Sequence, residues 1–154
     1  MRRIALIIMM SLSGMSHAAA AAPTAQAVNS TVDTVLAKQL GADENGMRRY
    51  VLVILKTGPH RVPDGEARVA MFKGHFANMT RLAEEGKLAL AGPFGDKNEW
   101  RGMFILAVDD FEAAAALVAT DPVIANGEML AEYHTLHASA ALMAVNGIHK
   151  KISK

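Results

Sequence analysis

Six segments between residues 50 and 136 carry alternating strand and helix patterns, and their order is the strongest constraint on the fold. Short apolar runs mark four strands, at residues 50–56 (YVLVILK), 88–91, 102–108 (GMFILAV) and 129–136. Apolar side chains at helical spacing mark two helices, at residues 66–85 and 111–119. The order βαββαβ predicts an α+β, ferredoxin-like fold, in which two helices cover one face of a four-stranded antiparallel sheet.

The first and third strands are apolar on both faces. A sheet that is covered on one face only should alternate between apolar and polar side chains, so the second face of this sheet also needs a cover. We therefore expect a homodimer that pairs sheet to sheet. The alternative is that residues 23–46 fold over this face.

The ends of the chain suggest export and a division into segments. Residues 1–22 resemble a signal peptide, since Arg2 and Arg3 precede an apolar run that ends in small residues. Cleavage would leave a periplasmic or secreted protein without membrane association, and an uncleaved anchor is the alternative. We expect a linker with a short helix at residues 23–47, one domain at 48–145 and a basic, frayed tail at 146–154.

Charge and composition exclude several classes of function. Removal of residues 1–22 takes away two of the 16 basic residues and none of the 15 acidic ones. The remaining near-neutral chain lacks the basic face that a nucleic-acid-binding protein needs. The chain has no Cys, hence no disulfide and no thiol chemistry. We expect no bound cofactor, and a small molecule as the ligand.

His75 is the candidate proton carrier. The predicted inward stripe of the long helix consists of Val69, Phe72, Phe76, Met79, Leu82 and Ala83. His75 follows Phe72 by three positions and precedes Met79 by four, so it should share the stripe's face. A neutral imidazole can take or give a proton near neutral pH. The alternative is a core histidine bonded to a backbone carbonyl.

The corner Gly92-Pro93-Phe94-Gly95 and His134 are candidates for binding a substrate. The corner could bring backbone N–H groups to a ligand, although such a run is also a common tight exit from a strand. His134 shares a strand face with Glu132, either as an acid–base pair or as a polar pair near a solvated edge. Neither Cys nor an H-E-x-x-H motif is present, so a metal site of His and carboxylate ligands is the weakest alternative.

Five stretches resemble the YciI-like (YCII-related) family and its exported branch: residues 41–44 (GADE), 50–59 (YVLVILKTGP), 74–95, 101–105 (RGMFI) and Asp121-Pro122. The resemblance implies a ferredoxin-like fold of the dimeric α/β barrel superfamily. It also implies a His–Asp dyad, which falls on His75 and Asp121. A related member is a dehydrochlorinase of a chlorinated hydroquinone, and the superfamily includes muconolactone isomerase-like enzymes.

Asp121 can also have a purely structural role, because an Asp before Pro122 is well suited to cap a following helical turn. This chain departs from the family pattern at Leu136-His137, where members of the branch carry an aromatic pair. No G-x-S-x-G nucleophile motif is present. The sequence therefore predicts a lyase, isomerase or dehydrochlorinase that uses a His–Asp acid/base dyad. The alternative is a non-catalytic, dimeric binding or stress-related module.

Overall fold

The structure is a computed structural model that describes residues 31–96 and 98–154. The predicted signal peptide, residues 1–22, and most of the predicted linker before the first helix lie outside these residues. Within the described part of the chain, no helix has both the length and the apolar character needed to cross a membrane.

Nine helices and strands and one 3₁₀ segment follow one another along the described residues. The helices are α1 (Thr34–Leu40), α2 (Glu66–Glu84), α3 (Phe111–Val118), α4 (Pro122–Ala125) and α5 (Val145–Ile152). The strands are β1 (Met47–Thr57), β2 (Leu88–Pro93), β3 (Trp100–Leu106) and β4 (Met129–Ser139), and the 3₁₀ segment spans Ala140–Ala144.

The four strands form one antiparallel sheet in the order β2-β3-β1-β4. Helices α2, α3 and α4 pack on one face, where buried side chains of the sheet such as Val53 and Leu106 meet Leu82 and Val118. The predicted α+β, ferredoxin-like fold is therefore confirmed. The strands that the sequence marks as apolar on both faces, β1 and β3, are the two central strands of the sheet.

The inward face of α2 differs from the predicted stripe. The buried residues are Met71, His75, Asn78 and Leu82. Val69 and Phe76, which the sequence analysis places inside, are 70% and 60% exposed. Helix α2 packs against α4 through Gly74, and the observed stripe is rotated so that Asn78 as well as His75 faces inward.

The second face of the sheet is partly covered by the chain's own C-terminal end. Leu142 and Met143 pack on the cluster that contains Tyr50 and Ile105. Residues 146–154, which the sequence analysis describes as a frayed tail, form most of α5. Asn146 anchors this helix, since its side-chain amide donates to the carbonyl of Leu88 at 2.7 Å.

Candidate active site

Helix α2 carries His75 into the layer between the helices and the sheet. The imidazole is surrounded by aromatic rings: Phe104 stacks on it at a centroid distance of 6.0 Å, Phe72 meets it edge-on at 6.2 Å, and Phe76 lies at 5.4 Å. His75 as a whole is 7% exposed. This packing restricts the rotation of the ring and so holds its two nitrogens in fixed directions.

Asp121 is the partner of His75. Its Oδ2 lies 2.7 Å from Nδ1 of His75, and its Oδ1 accepts a hydrogen bond from the N–H of Val123 at 3.1 Å. The carboxylate is fully buried at the N-terminus of α4, with Pro122 in the first helical position. The two roles that the sequence left open for Asp121 are thus both compatible with the geometry, because one oxygen caps the helix while the other meets the imidazole.

His75 lies at the wall of a cavity of about 230 Å³, with Asp121 behind it. The lining that the described residues provide is almost wholly apolar, and His75 and Arg101 are the ionisable side chains in it. Among the described residues, Nε2 of His75 has no hydrogen-bond partner. The remaining lining residues are Leu55, Phe72, Phe76, Met79, Gly92, Pro93, Gly102, Met103, Phe104 and Met129.

The structure brings part of the predicted substrate-binding set to this cavity. Gly92 and Pro93 line it, whereas Phe94 packs on Trp100 with ring centroids 5.6 Å apart. The backbone of this corner has little capacity to donate hydrogen bonds to a ligand. The N–H of Phe94 already donates to the carbonyl of Arg101 at 3.1 Å, and Pro93 has no N–H.

His134 is not brought to the cavity. On β4, Met129, Ala131 and Tyr133 pack toward the helices, so the alternation of the strand puts His134 on the opposite face of the sheet. There its Nε2 lies 2.9 Å from Oε1 of Glu132. Because β4 is an edge strand, this is the polar edge pair that the sequence analysis kept as the alternative.

Sequence reasoning missed a second buried carboxylate beside the cavity. Glu128 is 2% exposed; Arg68 Nη2 donates to its Oε1 at 2.8 Å, and the N–H of Val62 donates to its Oε2 at 2.7 Å. The hydrogen bond from Arg68 holds the pKa of Glu128 below its ordinary value, against the opposing effect of burial. The sequence signals only the inward position of Arg68, which precedes His75 by seven positions and so shares its helix face, and this spacing does not point to Glu128.

No group of three or more His, Asp or Glu side chains within residues 31–96 and 98–154 is arranged to hold a metal ion. The sequence model of the YCII-related domain matches residues 49–135, which is more than half of the chain. The chain belongs to the YCII-related family. The match includes His75, Arg101, Asp121 and Glu128, and it confirms the family to which the motifs pointed.

A curated relative supports the same assignment. The uncharacterized protein YjpA of Bacillus subtilis (strain 168) is 35% identical over 54 residues, which are 35% of this YCII-related chain and 61% of YjpA. The match thus spans less than two thirds of that relative.

Proposed function

We propose that this YCII-related protein is a small-molecule enzyme of the lyase, isomerase or dehydrochlorinase type, in which His75 transfers a proton and Asp121 orients it. The observation that supports this most is the 2.7 Å contact between His75 Nδ1 and Asp121 Oδ2 beside an apolar cavity. A base together with a carboxylate that orients it can support proton-transfer chemistry.

The chemistry follows from the tautomer. An ionised Asp121 can only accept, so the proton of a neutral imidazole resides on Nδ1 and Nε2 keeps its lone pair. Nε2 would take an acidic proton from the ligand. In the dehydrochlorination of a chlorinated hydroquinone, the ring first ketonises at the carbon that carries chlorine; an O–H proton is then lost to Nε2, a C=O bond forms, the ring double bond shifts and chloride leaves with the electron pair of its own bond. In an isomerisation, Nε2 takes a C–H proton and the imidazolium returns it to another carbon.

A second candidate function is a non-catalytic binding module. The observation that favours it is the hydrogen bond of Asp121 Oδ1 to the N–H of Val123, because a helix-capping carboxylate has a structural role whether or not chemistry occurs. In this case the His75–Asp121 contact would join α2 to α4, and the cavity would bind a small molecule without converting it.

We further propose that the protein is exported and dimeric, as in the exported branch of the family and the dimeric α/β barrel superfamily. The pattern of residues 1–22 supports export. The apolar second face of the sheet supports pairing of two copies, because Leu52 and Met103 on this face are only partly buried.

The function can be tested with a pair of histidine variants. Purified protein would be offered chlorinated hydroquinones, with chloride release as the readout, and unsaturated lactones, with isomerisation followed by NMR. The change His75→Gln removes the base and should lower turnover by about 10²–10⁴-fold. The matched control, His134→Gln, changes a histidine on the opposite face of the sheet and should leave turnover unchanged. Equal turnover in wild type and His75→Gln would refute the proposed role. A lower melting temperature of His75→Gln without any turnover by the wild type would favour the binding module.

A further inference from the structure

Arg101 enters the cavity through an irregularity in the sheet. Leu55 pairs with Gly102, but the next residue, Lys56, pairs with Trp100, so Arg101 is an extra residue in β3. Such bulges redirect a side chain, and they are common beside active sites. The backbone is closely packed here, because a Cβ at Gly102 would lie 2.9 Å from the carbonyl oxygen of Gly92. Arg101 is therefore held at the cavity wall by the strand geometry.

Within residues 31–96 and 98–154, the guanidinium of Arg101 has no hydrogen-bond acceptor. Its Nη1 is 4.0 Å from Oε1 of Glu128, which is beyond hydrogen-bond distance. Both oxygens of Glu128 already accept, one from Arg68 and the other from Val62. In the part of the chain that the structure describes, the Arg101 side chain donates no hydrogen bond to any group.

The charges around Glu128 leave an excess of positive charge. Asp64 contacts Arg61 at 3.2 Å and Arg68 at 3.3 Å, but its side chain is 81% exposed, so solvent weakens both pairs. Among the described residues joined by these contacts, three arginines thus stand against two carboxylates, and Arg101 is the arginine whose side chain borders the cavity. Since Glu128 is buried and paired with Arg68, it screens Arg101 only in part.

The rest of the cavity sets the size and polarity of its ligand. At about 230 Å³ it is smaller than the sites that hold drug-sized molecules. Its apolar walls fit a ligand with a compact hydrocarbon or aromatic body. A planar guanidinium matches a carboxylate or phenolate, to which it can offer two parallel N–H donors.

We infer that Arg101 is the specificity-determining residue of this site, and that the site takes small, mainly apolar molecules with one anionic oxygen group, a carboxylate or an ionised phenol. This inference rests on the proposed function for the location of the reaction. The binding of the anion itself requires no proton transfer, so the two proposals can fail separately.

The test compares charged and neutral probes of one shape. Benzoate and benzamide would be titrated into the full-length protein, with binding followed by the methionine methyl NMR signals of the cavity. We expect benzoate to bind wild type about tenfold or more tightly than benzamide. Arg101→Met should abolish this preference, Arg101→Lys should keep part of it, and Arg49→Met, which removes an exposed arginine outside the cavity lining, should leave it intact.

Each result supports or overturns the inference. If wild type binds benzoate and benzamide equally, or does not bind benzoate, the inference is wrong; the same holds if Arg101→Met keeps the preference. Phenol, titrated above and below its own ionisation, distinguishes phenolate from carboxylate selectivity. Retention of benzoate binding by His75→Gln, combined with unchanged turnover in that variant, would reject the proposed function and leave the anion site standing.

Discussion

Gly74 lies directly against Pro122, and this contact sets the distance between α2 and α4. A Cβ at Gly74 would be 2.9 Å from Cγ of Pro122, closer than real Cβ contacts allow. The neighbours of these two residues are His75 and Asp121, whose side chains meet at 2.7 Å. The absence of a side chain at position 74 thus permits the approach that brings the dyad together.

The change Gly74→Ala should separate the dyad. Alanine favours a helix over glycine by about 1 kcal/mol, but here its methyl group must displace the rigid ring of Pro122. We expect a longer His75–Asp121 contact, seen as an upfield shift of the His75 Nδ1–H proton in NMR, and turnover lower by about tenfold or more. The control is Gly147→Ala in α5, where a Cβ would meet open space. This variant should show only the gain in stability that comes from the higher helix propensity of alanine. An unchanged Nδ1–H signal in Gly74→Ala would contradict this account.

The change Asp121→Asn should reverse the tautomer of His75. The amide oxygen can still accept from the N–H of Val123, so α4 keeps its cap and the fold should survive. The amide NH₂ would then donate to Nδ1, which moves the imidazole proton to Nε2 and removes the lone pair from the cavity side. Turnover should fall by about 10²–10⁴-fold, while ¹⁵N shifts of the ring report the exchange of protonated nitrogen. Full activity in Asp121→Asn would refute the orienting role.

The element order could be predicted because each strand is a separate apolar run bounded by glycine, proline or polar residues. The rotation of α2 about its own axis, which decides which residues are buried, could not be predicted in this way. Val69 and Phe76 are more apolar than the buried His75 and Asn78, so apolar patterning alone favours the wrong stripe, whereas the close approach of Gly74 to Pro122 fits the observed one. His75 is inward in both cases, because it lies between the predicted stripe and the observed one.

Only those site residues that lie within the family motifs could be predicted from the sequence. Asp121 is 46 positions from His75, and the family pattern rather than spacing connected them. The role of Arg101 depends on a one-residue shift between β1 and β3, and the role of Glu128 depends on its burial at the position directly before β4. Neither is visible in a sequence, where an acidic residue after Gly127 looks like part of a solvated turn.

Leu130 offers a test of the proposed dimer. It lies on the second face of the sheet, opposite Lys56 in the register, and is 52% exposed. A negative charge should cost the single subunit little here but should disrupt a sheet-to-sheet interface. In light scattering after size-exclusion chromatography, wild type should have the mass of a dimer and Leu130→Glu that of a monomer. Val69→Glu, a charge on the exposed side of α2, should remain dimeric; a dimeric Leu130→Glu would direct attention to another surface.

Glu128 should make the free energy of unfolding depend on pH under acidic conditions. Its pKa in the folded protein is below the ordinary 4.5, chiefly because Arg68 donates to it. Above about pH 5 the carboxylate is ionised in both the folded and the unfolded chain, so its contribution to stability is fully present. As the pH falls through 4.5, the unfolded chain takes up a proton first, and the contribution is lost as the pH falls through the lower pKa of the folded state.

The change Glu128→Gln should therefore lower the free energy of unfolding by about 2 kcal/mol at neutral pH, because Arg68 loses a charged acceptor. Urea unfolding from pH 7 to pH 3 should show a constant gap between wild type and variant down to about pH 5, and a narrowing gap below it. Glu44→Gln, at an exposed position, serves as the matched control and should run parallel to wild type throughout. A gap that stays constant to pH 3 would mean that the Arg68–Glu128 pair does not depend on the charge of the carboxylate.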